Sequence, residues 1–189
     1  MGRITPAEFE ARYQSDPDPW GYVSSGYERD KYDATLTACG PGRFACALEL
    51  GSSIGVFSAR LAPRCDLLIS IDAAPSAVAA ARDRLTKQPH AETILGAIPD
   101  AIPCRTYDLV VASEILYYLD ETELAGTLRR LRHSMTAGAR LVAVHWRPAG
   151  PERPFTADAV HARLHQEPWL SAVSRGDTAD YRLDVLERR

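Results

Sequence analysis

Apolar and polar positions along the chain switch between two periods. Residues 44–50, 66–72, 107–113 and 140–146 are almost continuously apolar. Runs this short with little alternation read as strands buried on both faces, as in a parallel sheet. Helical spacing fills the gaps. Thr5-Pro6-Ala7-Glu8 is a capping box with proline at the first helical position and opens a helix to about Tyr13. A second box, Ser25 to Glu28, opens a helix from Tyr27 to about Cys39, stopped by Gly40-Pro41-Gly42. Helices are expected from Val56, from Pro75 to Lys87, from an Asp120 cap to Met135 with Gly138 as its stop, and from Thr156 to about Gln166. Leu124, Leu128 and Leu131 share one face of the third of these. Residues 92–95 form a short strand, and 170–174 and 181–186 an antiparallel hairpin across Arg175–Thr178. This strand–helix alternation implies one α/β domain, a Rossmann-like doubly wound sheet with helices on both faces. Residues 1–42 would be a helical cover over a core at 43–189.

Composition changes this picture little. The 189 residues are 46% hydrophobic and 25% charged, with a net charge of -3, so no basic footprint points to nucleic acid or an anionic membrane. The longest apolar runs fall far short of the roughly 18 residues a membrane span needs. Met1-Gly2-Arg3-Ile4-Thr5 has no apolar segment of the kind a secretion signal carries. Cys39, Cys46, Cys65 and Cys104 are scattered without metal-ligand spacing, so no metal is expected. Reduced thiols fit a cytoplasmic protein.

The chemistry gathers at the strand ends. Glu49-Leu50-Gly51-Ser52-Ser53-Ile54-Gly55 is strand, tight turn and helix start, and the next strand ends in Asp72. A glycine turn followed by an acid at the adjacent strand tip can hold an adenosine. A dinucleotide fingerprint would need glycines where Ser53 and Val56 stand, so a pyrophosphate could not approach the backbone. That argues against NAD and FAD. S-adenosylmethionine (SAM) has no phosphates and needs only the turn and the acid. Asp72 would accept the ribose hydroxyls, or else cap the following helix; Glu49 would lie near the methionine end, or else serve the turn. On the acceptor side stand Glu114, Tyr117, Tyr118 and His145. An amine acceptor must lose a proton, which Glu114, ahead of His145, could take. Tyrosine pairs and histidines in strands are as often packing groups, and His133, His161 and His165 are expected at helix surfaces.

These stretches resemble class I SAM-dependent methyltransferases: Glu49 to Gly55, Ile71-Asp72, and Tyr107 to Glu114. Five others are similar, more narrowly, to the NodS-type (nodulation protein S) N-methyltransferases. They are Asp18-Pro19-Trp20-Gly21-Tyr22, Tyr27-Glu28-Arg29-Asp30-Lys31-Tyr32, Ser113 to Leu119, His145-Trp146-Arg147 and Asp180 to Val185. The resemblance runs from about Phe9 to Leu186. It implies a seven-stranded sheet with the last strand antiparallel, SAM as cofactor and S-adenosylhomocysteine (SAH) as product. It also implies a small-molecule or oligosaccharide acceptor; the type member N-methylates the amino-sugar end of a chitin oligosaccharide. O-methylation of a hydroxyl and a SAM-binding module without catalysis remain alternatives. Trp20 would lie over the sulfonium, or else serve packing or an interface, and Lys31, with Arg29 as its rival, would pair with the methionine carboxylate, or else be solvated. The acid that such enzymes often carry after the third strand is replaced by Ala97, leaving adenine to the backbone of Ala97 and Ile98. The full cofactor set is Trp20, Lys31, Glu49, Gly51, Ser52, Gly55, Asp72, Ala73, Ala97, Ile98 and Ser113, and the catalytic set is Glu114, His145 and Tyr117.

Overall fold

The computed structural model describes residues 3–148 and 150–189; Met1 and Gly2, part of the N-terminal stretch read above, and Ala149 lie outside the described residues. Seven strands form one sheet: β1 (Ala47–Leu50), β2 (Leu68–Asp72), β3 (Ala91–Leu95), β4 (Tyr107–Ser113), β5 (Met135–Trp146), β6 (Leu170–Asp177) and β7 (Tyr181–Arg188). Their order is β3-β2-β1-β4-β5-β7-β6. The first five run parallel, and β7 inserts antiparallel between β5 and β6. This is the class I methyltransferase fold. The strand order reverses between β1 and β4, where an open α/β sheet leaves a crevice at its carboxyl edge.

Among the described residues there are six α-helices, α1 (Pro6–Ser15), α2 (Gly26–Ala38), α3 (Val56–Leu61), α4 (Pro75–Arg84), α5 (Glu121–Ser134) and α6 (Ala157–His165). Alternation along each strand sorts its side chains into two cores. Leu48, Leu50, Val110, Ala112, Leu141 and Ala143 pack with Leu124, Leu128 and Leu131 of α5. Ala47, Leu109, Val111, Val142 and Val144 pack with Phe57 and Leu61 of α3 and Tyr32 of α2.

Two local expectations change. Gly138 does not end α5. The helix stops at Ser134, Met135 is already extended, and β5 begins there. Tyr107 pairs with Met135 but Leu109 with Arg140, so β5 bulges between these points, and Gly138 supplies the left-handed residue (φ +78°) that the bulge uses. The second difference is at α2. Ser25 accepts the Glu28 N–H, but the Glu28 side chain does not return the bond. It turns inward to Lys31 instead.

Candidate active site

A cavity of about 700 Å³ opens at the β1/β4 crevice. Its floor is the strand ends, and its cover is α1 with the 16–25 loop. Helix α1 is fixed by the expected box, Thr5 N–H donating to Glu8 (2.7 Å) and Glu8 N–H to the Thr5 hydroxyl (3.3 Å). Its inner face carries Phe9 and Tyr13, four residues apart. Phe9 meets the Tyr118 ring edge-on at 5.0 Å, and Tyr13 meets Trp20 at 5.4 Å and shares a 2.6 Å hydrogen bond with the Ser53 hydroxyl. Trp20 stacks on Tyr22. The expected lid is thus an aromatic cluster, not one tryptophan.

At the β1–β2 end, Asp72 accepts the backbone N–H groups of Ser53 (2.7 Å) and Ala74 (3.0 Å) while lining the cavity. It makes no helix cap; Ala74 holds that position. Burial raises its carboxyl, and the two N–H groups oppose that shift. Ala73, Gly96, Ala97, Ile98 and Ile71 form the neighbouring, mostly apolar wall.

At the β4–β5 end sits Glu114, a non-glycine residue at φ +57°. Such a backbone costs about 1–3 kcal/mol and persists only where its surroundings hold it. Here three donors do so. Lys31 Nζ reaches Oε1 at 2.9 Å, Trp146 N–H reaches Oε2 at 3.0 Å, and the Tyr117 hydroxyl donates to the same oxygen. Lys31, 3% exposed, also reaches Glu28 at 3.0 Å. Burial works against its ammonium, but the carboxylates of Glu114 and Glu28 outweigh it and leave the group above its ordinary range. Glu28 is itself raised by burial against the pull of Lys31, and its enclosed Oε2 has no hydrogen-bond partner among the described residues. Burial, then the Glu114 charge, push the Tyr117 phenol well above its usual range, so it stays a donor.

Of the cofactor and catalytic sets, Trp20, Lys31, Gly51, Asp72, Ala73, Ala97, Ile98, Ser113, Glu114 and Tyr117 line this one cavity. Four do not, each for a local reason. Glu49 lies on the strand face towards α3, where the Ser58 hydroxyl donates to it at 2.5 Å and burial raises its carboxyl to about 8. Ser52 is buried within the turn. Gly55 is required by packing, since a Cβ there would lie 2.9 Å from the Ala81 backbone of α4. His145 is fully buried with both ring nitrogens engaged: Leu116 N–H donates to Nε2 (3.2 Å), and Nδ1 faces His161 Nε2 at 3.0 Å. His161 Nδ1 in turn meets Asp184 at 2.8 Å. Since Nε2 of His145 accepts, each Nδ1 carries the proton, and the chain of bonds runs to the Asp184 carboxylate. Burial holds His145 well below its usual range. It is a neutral strut under the 116–118 turn, not a base. His161, expected at a helix surface, is equally buried, because α6 turns that residue onto β5 and β7. The sequence reading passed over Glu28, whose capping-box position explained it locally, and Arg153, which sits in a connecting loop.

These donors and acceptors fit SAM. Each Asp72 oxygen spends one lone pair on a backbone N–H, leaving capacity for ribose hydroxyls. The unpartnered Glu28 oxygen suits an ammonium, and Lys31 has one N–H beyond the two it uses. The Trp20, Tyr13 and Tyr22 rings suit a sulfonium.

Comparison with known proteins gives the chain's family and fold. The family model for nodulation protein S (NodS) matches residues 8–148. Nodulation protein S of Rhizobium tropici is 32% identical over 138 residues, 72% of this chain and 58% of that protein. An uncharacterized methyltransferase of Mycobacterium tuberculosis is 31% identical over 117 residues, 60% of this chain and 56% of its own length. The alignments thus span little more than half the length of these relatives. Among solved structures, the N-methyltransferase NodS from Bradyrhizobium japonicum WM9 in complex with SAH superposes with a TM-score of 0.88 at 26% identity, covering 98% of this chain and 99% of that one. A methyltransferase-like protein from Pseudomonas syringae gives 0.76 at 34% identity over 87% of this chain and 100% of its own. By sequence match, topology and cavity alike, the chain belongs to the nodulation protein S family.

Proposed function

We propose that this protein is a SAM-dependent methyltransferase that N-methylates a small molecule, an amine of the amino-sugar kind being the acceptor the family suggests. The observation that carries this reading is one cavity with Asp72 at its β2 end and the Lys31–Glu114–Tyr117 cluster at its β4 end. Asp72 would hold the ribose, the Ala97–Ile98 wall the adenine, and Glu28 with Lys31 the amino-acid end. When bound, SAM supplies an electrophilic methyl group on a sulfonium. The chain's own contribution is then largely positioning, which can remove much of a displacement barrier. Glu114 is fixed by three donors, so its remaining lone-pair capacity points an acceptor N–H in one direction. Nitrogen gains positive charge on methylation, and a carboxylate beside it favours that charge. The nitrogen's proton can leave towards Glu114. Tyr117 holds that carboxylate, and the aromatic cover excludes water.

The test is methyl transfer from labelled SAM to a panel of amines, glucosamine oligomers included, and to phenols and sugar hydroxyls. Turnover of amines is the expected result. Turnover of hydroxyls alone would move the reading to O-methylation. SAH binding with no turnover across the panel would favour a binding module.

A further inference from the structure

Among the described residues four cations line the cavity, and three of them are matched. Arg3 meets Asp120 (3.0 Å) and Glu123 (2.6 Å), Arg12 meets Glu152, and Lys31 meets Glu28 and Glu114. Arg153 is the exception. It is 9% exposed, yet among the described residues it has no carboxylate within 4.0 Å. Among the described residues its guanidinium makes two bonds, both to nearby carbonyls, Trp146 O at the end of β5 at 3.4 Å and Pro148 O at 2.6 Å. It lies over two aromatic rings, 4.6 Å from the Tyr117 ring centroid and 5.1 Å from that of Trp146. Burying a charge without a counter-charge is costly. Two of its five N–H groups are used in these bonds, and the others can donate to a carboxylate or phosphate.

We infer that Arg153 is an anion-recognising subsite for the methyl acceptor, which therefore carries a carboxylate or phosphate close to the nitrogen that is methylated. The acceptor assignment rests on the methyltransferase reading above. Position favours the acceptor over the cofactor. Trp146 ends β5, which lies two strands from β1 and its Gly51 turn, about 10 Å at ordinary strand spacing. The cofactor's own carboxylate is assigned above to Lys31, which bonds Glu114 just after β4, one strand from β1. Tyr117 links the two halves of the subsite, its hydroxyl on Glu114 and its ring under Arg153. Charge agrees as well. With Glu28 and Lys31 given to the cofactor's amino-acid end, Glu114 and Arg153 leave one negative and one positive group on either side of Tyr117, which complements a zwitterion. Arg153 also lies beyond residues 8–148, the segment the family model matches. Amino acids and phosphorylated amino sugars are the chemical classes that fit.

The experiment titrates SAH-saturated protein with acetate and with inorganic phosphate at constant ionic strength, reading the Trp146 indole resonance. A saturable shift in the wild type, weakened at least tenfold in R153Q and three- to tenfold in R153K, is the expected result. R153K keeps the charge but not the fork, and carries the test if R153Q does not fold. The anion that saturates lower separates carboxylate from phosphate. Matched acceptors then follow, glucosamine against glucosamine 6-phosphate and an amino acid against its amide, with the anionic member of the preferred pair turned over more efficiently by wild type only. A non-saturable wild-type titration, or one unchanged in R153Q, overturns the subsite. If R153Q weakens SAH tenfold but leaves 5′-methylthioadenosine unchanged, Arg153 serves the cofactor and the acceptor assignment is wrong. Failure of the wild type to bind SAH at all would instead reject the methyltransferase reading, with the anion titration on free protein still reporting on Arg153.

Discussion

Replacing Lys31 with methionine removes the one positive charge between Glu28 and Glu114. Their oxygens lie 3.0 and 2.9 Å from Nζ, so the two carboxylates are at most about 6 Å apart. At an effective dielectric of 20, like charges at that distance repel by about 3 kcal/mol. Loss of one partner from a buried pair costs about 3–5 kcal/mol in general, so the two estimates agree. The sign of the pH dependence follows. In the wild type the Lys31 ammonium is held above its ordinary range. Its contribution is therefore complete below an unfolded lysine pKa of about 10.4 and is lost only as pH rises through the still higher folded value. It changes nothing between pH 7 and 5. In K31M, repulsion no longer offset by the ammonium raises Glu28 further than burial already does in the wild type, so protonation on going from pH 7 to 5 stabilises the variant more than the wild type. Urea unfolding at the two pH values is the assay. The expected gap to wild type is about 3 kcal/mol at pH 7 and distinctly smaller at pH 5. A gap under about 1 kcal/mol at pH 7, the size of an exposed pair, or one that does not narrow on acidification, would refute the buried network.

Two further outcomes concern groups next to the cavity. Burial lifts the Glu49 carboxyl to about 8. A raised folded value means that its contribution is full below the unfolded pKa of about 4.3 and is lost as pH rises through the folded one, by at most about 5 kcal/mol. E49Q should flatten the fall in melting temperature between pH 5 and 8 in ligand-free protein; parallel curves would show Glu49 to be better solvated than its burial implies. At His161, leucine leaves the His145 Nδ1–H without an acceptor, at a cost of about 1–3 kcal/mol per orphaned buried group. Glutamine, whose amide can accept from His145 and donate to Asp184, should restore most of that loss. Equal denaturant midpoints for H161L and H161Q would contradict the bonded chain.

The parts legible in the sequence were those set by local pattern. Strand β4 and the glycine turn with its following acid came directly from apolar runs and breakers, because parallel strands buried on both faces leave a plain signature. Gly138 was misread because a glycine after an apolar helix signals a C-cap whether or not the next strand starts early. Glu28 was read as half of a capping box, a local explanation that hid a contact to a residue three positions on. His145 was a poor base candidate only because His161 and Leu116 take up both its nitrogens, from 16 and 29 residues away. Arg153 gave no signal, since what distinguishes it is the absence of a carboxylate that only the fold can reveal.

The central claim is that the crevice between β1 and β4 holds SAM through Asp72. Titration calorimetry with SAH tests it most directly, on wild type and D72A, with NADH as the contrasting nucleotide. One-to-one SAH binding to wild type, weaker in D72A by about 1–3 kcal/mol through lost hydrogen bonds to a charged group, and no heat with NADH, is the expected result. Saturable NADH binding without SAH binding, or SAH affinity unchanged in D72A, would contradict it.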